Sequence, residues 1–391
     1  MLNTHYFCNF GLILWNNGMK KIIIIIALLF GTLSSMACTS AVVSASVTKN
    51  GRPLLWKNRD TDSENNKVER VEAHDGRYEY VALFNAQDMN LREAWMGFNE
   101  KGFAIMNTAS YNLNDDNVKD MDKEGLVMTK ALESCTTVDD FEKLLKELPK
   151  PLGIEANFGV IDAEGNGAYF EAGNYSYVKF DLKDSPNGIL TRTNYSYSGR
   201  KDEGMGYIRE ENEKELLAKH IARRDITPAV FTEELSRSYY HSLIGRDFSK
   251  DSLTWMIDQD FIPRKLSSAT TVIEGVKPGE CPWLTTMWIG LGFPPCSEIS
   301  PVWLGKDGVP EALRGTLSNG HSPQCDKVNQ RKDEVFSIQR GNGKHYFDMS
   351  KLYNSNHTGY CQILVPKDME TYRQGYKEIE RRRQILENKN K

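Results

Sequence analysis

The chain has 391 residues, 40% hydrophobic and 26% charged, with 49 Lys and Arg against 53 Asp and Glu and a formal charge of −4. That balance supplies a sizeable globular core but no basic field to gather phosphates, which disfavours nucleic acid as a partner. Only one run is apolar enough to enter a membrane, and it lies at the very start, so a multi-span membrane protein is excluded.

That first run reads as an export signal. Lys20 and Lys21 precede Ile22–Phe30, and Ser35 and Ala37 are the small residues before a cut, so residues 1–37 are expected to be removed. Met19 stands directly before the lysines, so residues 1–18 are readable as an upstream start. Cleavage removes two lysines and no acidic residue, taking the charge from −4 to −6, and the mature chain then begins at Cys38. An uncleaved anchor is the bland alternative. Lipid attachment at Cys38 is the rival use of such a cysteine, but it usually wants Leu three residues earlier, where this chain has Ser35.

From Cys38 the pattern is β-structure. Ala41–Val47 is small and β-branched, Asn50-Gly51 turns the chain, and Leu54–Trp56 resumes it, a hairpin that returns Lys57, Asn58, Arg59 and Asp60 beside Cys38. Tyr80–Phe84 and Phe103–Met106 are further strands, the second after the turn Asn99–Gly102. Leu126, Met128, Ala131 and Leu132 are spaced for a helix, and Thr137 caps another that is closed by Pro149-Lys150-Pro151. Phe158–Glu171 reads as a hairpin, Val178–Phe180 and Gly188–Thr191 as strands, and Glu213–Ala222 and Pro228–Ser236 as helices. Ala269–Glu274 and Leu284–Trp288 are paired strands, and Asp368–Lys391 is a charged surface helix or tail. Strands, a helical block and strands again predict one α/β domain of about 330 residues, its two sheets covered by helices. Its span is 38–366, with 367–391 as a tail.

Seven cysteines stand at 8, 38, 135, 281, 296, 325 and 361, with no CxxC pair. Cys281 and Cys296 flank a Pro- and Gly-rich stretch and suit either a disulfide or buried thiols. No HExxH, GxSxG, GxxxxGK[ST] or GxGxxG pattern occurs, so no metal or cofactor is expected. A cysteine with a free α-amine needs no histidine. The thiolate is the nucleophile, an ordinary thiol pKa of about 8.5 leaves little of it at neutral pH, and an amine on the same residue accepts the proton.

These residues resemble the opening of the N-terminal-nucleophile cysteine hydrolases of linear amides. That family includes choloylglycine hydrolases, penicillin V acylases, acid ceramidase-type enzymes and isopenicillin-N acyltransferases. Cys38-Thr39-Ser40, the hairpin and Lys57–Asp60 carry the likeness first. Gly97–Ala104 is similar to the family's Gly-Met-Asn-Glu-Lys-Gly-Leu-Ala segment, Phe158–Glu171 to its Asp-containing hairpin, and Leu190–Asn194 to its Leu-Thr-Asn segment. The match covers residues 38 to about 200 well and the remainder weakly.

The resemblance implies a four-layer αββα sandwich with two mainly antiparallel sheets. It implies Cys38 as nucleophile, its amine as base, Asp60 as the residue orienting that amine, and Asn194 as an oxyanion donor. Relatives often carry Arg three positions before the aspartate. Lys57 stands there instead and Arg59 adjoins Asp60, so either cation is open as the support of the thiolate. Asn107 is the nearest residue for a second oxyanion asparagine, two residues short of the bile-salt-hydrolase offset. Arg264 is the candidate for an arginine from the second half. The expected partner is a small N-acyl amide: a bile-salt conjugate, an acylated penicillin, an N-acyl lipid or a peptide-like amide. Hydrolysis is the default outcome, and acyl transfer follows if an amine intercepts the thioester. A surface lipoprotein with a binding role and a noncatalytic homologue are the alternatives. Many relatives are tetramers, and for this chain homo-oligomerisation is open.

Overall fold

The computed structural model describes residues 37–251, 254–338 and 345–389, so the expected leader falls outside them except for Ala37. Among the described residues the strands are β1 (Thr39–Val43), β2 (Leu54–Asp60), β3 (Asn66–Val71), β4 (Tyr80–Asn85), β5 (Met96–Asn99), β6 (Ala104–Ala109), β7 (Ala156–Ile161), β8 (Gly167–Ala172), β9 (Tyr177–Asp181), β10 (Ile189–Arg192), β11 (Tyr240–His241), β12 (Arg246–Asp247), β13 (Trp255–Ile257), β14 (Ser267–Glu274), β15 (Thr286–Leu291), β16 (Ser300–Val302) and β17 (Tyr346–Asp348). The α-helices are α1 (Glu124–Ser134), α2 (Val138–Glu147), α3 (Tyr207–Arg223), α4 (Pro323–Val335) and α5 (Tyr360–Lys389).

A six-stranded sheet runs β10-β1-β2-β14-β15-β16 and a seven-stranded sheet runs β3 to β9 in order. Every pairing in both is antiparallel. The period-2 alternation of β1 shows how they stack. Val42 points into the core shared with the seven-stranded sheet, whereas Ala41 and Val43 point to the opposite face and pack with Leu217 of α3. Close stacking needs glycine at the contact, because a Cβ at Gly159 or Gly167 would meet the Val42 side chain at 3.1 or 3.0 Å. On the far side of the seven-stranded sheet, Phe141 of α2 packs edge-on against Phe158 and Phe170. On the far side of the other sheet, Tyr372 of α5 packs on Trp288. The layers are therefore αββα, as the resemblance implies.

The hairpins and the capping box at Thr137 lie where the sequence puts them. Three expectations need correction. β1 stops at Val43, because the Ser44 hydroxyl accepts from Ser46 N and starts a tight 3-10 turn at Ala45–Val47. α3 starts at Tyr207 rather than Glu213, and its first turns bury Arg209, Glu210, Asn212 and Glu213, a face with no apolar periodicity to detect. The final helix starts at Tyr360, and buried Tyr372 and Ile379 make it part of the packed body rather than a solvated tail. Of the two alternatives for Cys281 and Cys296, the free thiols are found.

Candidate active site

Cys38 stands immediately before β1, between β2 and β10. The pairings Ser40↔Lys57 and Ser40↔Arg192, continued by two residues, set Cys38 across from Arg59 on one side and Asn194 on the other. Strand alternation then sorts the neighbours. Lys57 and Arg59 share the inter-sheet face of β2 with Leu55, and Asn58 and Asp60 share the helix face with Trp56.

The main chain of Cys38 is gripped. Its N–H donates to Asn194 Oδ1 at 2.8 Å, and its carbonyl accepts from Arg209 Nη1 at 2.6 Å. Arg209 also donates to Thr39 Oγ1 at 3.0 Å and to Asn194 Oδ1 at 2.8 Å, so one guanidinium fixes both the residue and its partner. Asn194 Nδ2 donates to Ala109 O at 2.9 Å. Asn194 thus turns its amide oxygen to the nitrogen of Cys38, whereas the resemblance implies that its N–H serves an oxyanion. Burial pulls the Arg209 guanidinium down to about 10.

Asp60 is fully buried, two residues beyond Asn58. Its Oδ1 accepts from Ser267 Oγ at 2.6 Å and Asn58 Nδ2 at 3.0 Å, and its Oδ2 from Arg264 Nε at 3.1 Å. Burial pushes its carboxyl above the usual range, and Arg264 and Arg209 pull it back. Cys38 Sγ lies 3.9 Å from the Asp60 carbonyl oxygen. Arg264, from the second half of the chain, therefore reaches the site through Asp60.

Both cations of the inter-sheet face have defined seats. Lys57 Nζ donates to Asn107 Oδ1 at 2.8 Å and Trp95 O at 3.1 Å. Burial lowers it to about 8, against the pull of Cys38. Arg59 bonds Asn66 Oδ1, reaches Asn85 Oδ1 at 2.8 Å and lies 5.1 Å over the Trp95 ring. Burial lowers it to about 10, again opposed by Cys38. Because Asn107 spends its oxygen on Lys57, its amide N–H₂ is the end left to serve as a donor.

All seven residues singled out from sequence (Cys38, Lys57, Arg59, Asp60, Asn107, Asn194 and Arg264) therefore meet in one region. Arg209 was missed. The signal that could have found it is local: Arg209 follows Gly206, whose positive φ of 93° sets the entry to α3, fifteen residues after Asn194. Glu213, one turn on, is buried with neither carboxylate oxygen hydrogen-bonded, and burial pushes it well up.

Comparison with known proteins adds a family. Residues 46–249 match the model of the acyl-coenzyme A:6-aminopenicillanic acid acyl-transferase family. That stretch contains Lys57, Arg59, Asp60, Asn107, Asn194 and Arg209, and it leaves out Cys38 and Arg264. No curated protein matches the chain. Among solved structures, a variant of the conjugated bile acid hydrolase from Clostridium perfringens is similar at 13% identity and TM-score 0.42, covering 68% of this chain and 92% of that one. The N-acylethanolamine-hydrolyzing acid amidase ortholog of Caenorhabditis elegans is similar at 14% identity and TM-score 0.39, over 63% and 93%. Penicillin V acylase from Agrobacterium tumefaciens is similar at 11% identity and TM-score 0.38, over 68% and 86%.

Proposed function

The chain belongs to the acyl-coenzyme A:6-aminopenicillanic acid acyl-transferase family, and from that premise we propose that it is an exported amidase whose nucleophile is Cys38. The single observation that carries this reading is the double grip on Cys38, its nitrogen on Asn194 and its carbonyl on Arg209. A buried residue held by both main-chain ends, within the electrostatic reach of two buried cations, Lys57 and Arg59, suits a fixed nucleophile better than a packing cysteine.

Removal of residues 1–37 turns the Cys38 peptide nitrogen into an α-amine. Asn194 Oδ1 accepts from it, and this hydrogen bond aims the nitrogen lone pair. The thiol passes its proton to the amine as Sγ attacks the carbonyl carbon of an N-acyl amide. Asn107 Nδ2 is the side-chain donor to the resulting oxyanion, an interaction of a kind worth roughly 3–4 kcal/mol in the transition state. Lys57 and Arg59 offset the negative charge that gathers at the centre. The ammonium protonates the departing amine as the C–N bond breaks, leaving a thioester. Water then gives its proton to the amine, attacks the thioester and releases the acid, and the thiol is restored. The family name favours a second reading, in which an amine takes the place of water and the product is a new amide.

The test pairs amino-terminal sequencing of the purified native protein with a panel of N-acyl amides: conjugated bile salts, penicillin V and N-acylethanolamines. The expected result is a chain that begins at Cys38, cleaves at least one panel class, and loses more than about a thousandfold in kcat on Cys38→Ser with its fold unchanged. Full activity in Cys38→Ser, or a diacylglyceryl mass on Cys38, ends the proposal.

A further inference from the structure

On the flank of α3 that lies over the sheet edges there is a cavity of about 820 Å³. It sits where β9, the last strand of the seven-stranded sheet, and β10, the first of the six-stranded one, run along the open side of the sandwich. Phe180 of β9, Leu190 of β10, and Leu217 and Ile221 of α3 give it apolar walls. Its size is that of pockets that enclose a small organic molecule. None of the residues assigned to the Cys38 chemistry lines it.

Arg192 also lines this cavity, and its guanidinium is incompletely used. Nε donates to Glu171 at 2.6 Å and Nη1 to Thr191 O at 2.7 Å, whereas Nη2 is buried with no hydrogen-bond partner. The rings of Tyr197 and Phe180 cover the group, their centroids 3.8 and 4.7 Å from its carbon. What remains is one in-plane N–H edge, the geometry that suits a carboxylate, and a buried donor left unmade is costly. Lys179 and Lys214 also line the cavity, but each is ion-paired, Lys179 with Asp139, Glu142 and Asp181 and Lys214 with Glu210 and Glu211, so selection for an anion rests on the open Nη2 of Arg192.

We propose that this cavity is a second binding site, for a monocarboxylate with an apolar chain. The carboxylate takes Nη2 of Arg192 as the Tyr197 ring, 46% exposed, swings aside, and the chain lies along Leu190, Leu217 and Ile221. Asn194, whose side chain holds the nitrogen of Cys38, follows Arg192 by two residues along the chain. Such a ligand is the acid that amide hydrolysis releases. That identification rests on the proposed function, whereas the site itself does not.

The test is isothermal titration of the protein with octanoate, with octylamine as the control of equal chain length. Saturable 1:1 octanoate binding is expected, at least tenfold tighter than octylamine. Ala218→Trp, on the exposed side of α3, puts an indole into the cavity and is expected to weaken octanoate at least tenfold, while Ala218→Ser keeps it and both variants keep the wild-type circular dichroism spectrum. Failure to saturate, equal affinity for octylamine, or indifference to Ala218→Trp overturns the site. Octanoate binding intact in a protein that cleaves no amide supports the site and counts against the catalytic reading alone.

Discussion

In the seven-stranded sheet every strand lies beside its neighbour in sequence, β3 to β9 in order, whereas the six-stranded sheet gathers strands that begin at Thr39 and end at Val302. The first buries Val81, Leu83, Phe98, Ile105 and Phe158 in its middle strands. The second buries Lys57, Arg59, Asp60 and Arg192, each no more than 2% exposed. Charge is costly to bury, and it is tolerated where partners converge from distant parts of the chain: Arg264 on Asp60, Arg209 on Asn194, Glu171 on Arg192. Local hairpins supply stability cheaply, while long-range pairing supplies the convergence that chemistry needs.

The largest expected effect separates the two sheets by stability. Phe141→Ala removes a ring that packs on Phe158 and Phe170 behind the seven-stranded sheet, and it should cost about 3–5 kcal/mol in denaturant unfolding. Below its melting temperature the variant should keep its kcat, and a large loss there would mean that the two sheets are not separable in this way. Next in size, Arg209→Lys keeps the charge but loses the fork that holds Cys38, Thr39 and Asn194 together. We expect kcat/KM to fall about a hundredfold, or about 2.7 kcal/mol, with little change in unfolding.

The smallest expected effect is a pH limb. Lys57, lowered by burial to about 8, is cationic below that pH and neutral above it, so the part of activity that needs its charge should fade as pH rises through about 8. The α-amine, with a reference pKa near 8, titrates in the same window but works best unprotonated, which gives a limb of opposite sign. Lys57→Arg should move the alkaline limb upward by at least about one unit, because arginine stays charged. An unmoved limb would assign the loss to another group.

The same comparison explains what was legible in the sequence. The meander could be read strand by strand, because each hairpin writes its own turn: Asn99–Gly102 turns with Gly102 at φ 77°, and Thr137 caps α2 through Asp140. The sulfur-side pair Lys57 and Arg59 was also readable, being on a hairpin with Cys38. Arg264 could only be guessed, since its contact with Asp60 spans 204 residues of chain. Arg209 left only the faint local mark of Gly206, because the helix face that carries it is polar where a helix is ordinarily recognised by its apolar stripe. The sense of the Asn194 amide was invisible for another reason. Which end of an amide faces a neighbour is set by partners, here Arg209 and Ala109, that no motif records.

The strand order β10-β1-β2-β14 has a consequence for how the protein comes into being. The strand that begins beside Cys38 finds one partner at once, in β2, but its other neighbour is made only when the ribosome reaches Ile189, and β2 waits for Ser267. Closing loops of that length is slow beside the zipping of successive hairpins, so the meander can form while the thiol of Cys38 is still unhoused. On the proposed reading, competence is the last trait this polypeptide acquires, and a nascent or shortened chain carries the sulfur without the means to use it.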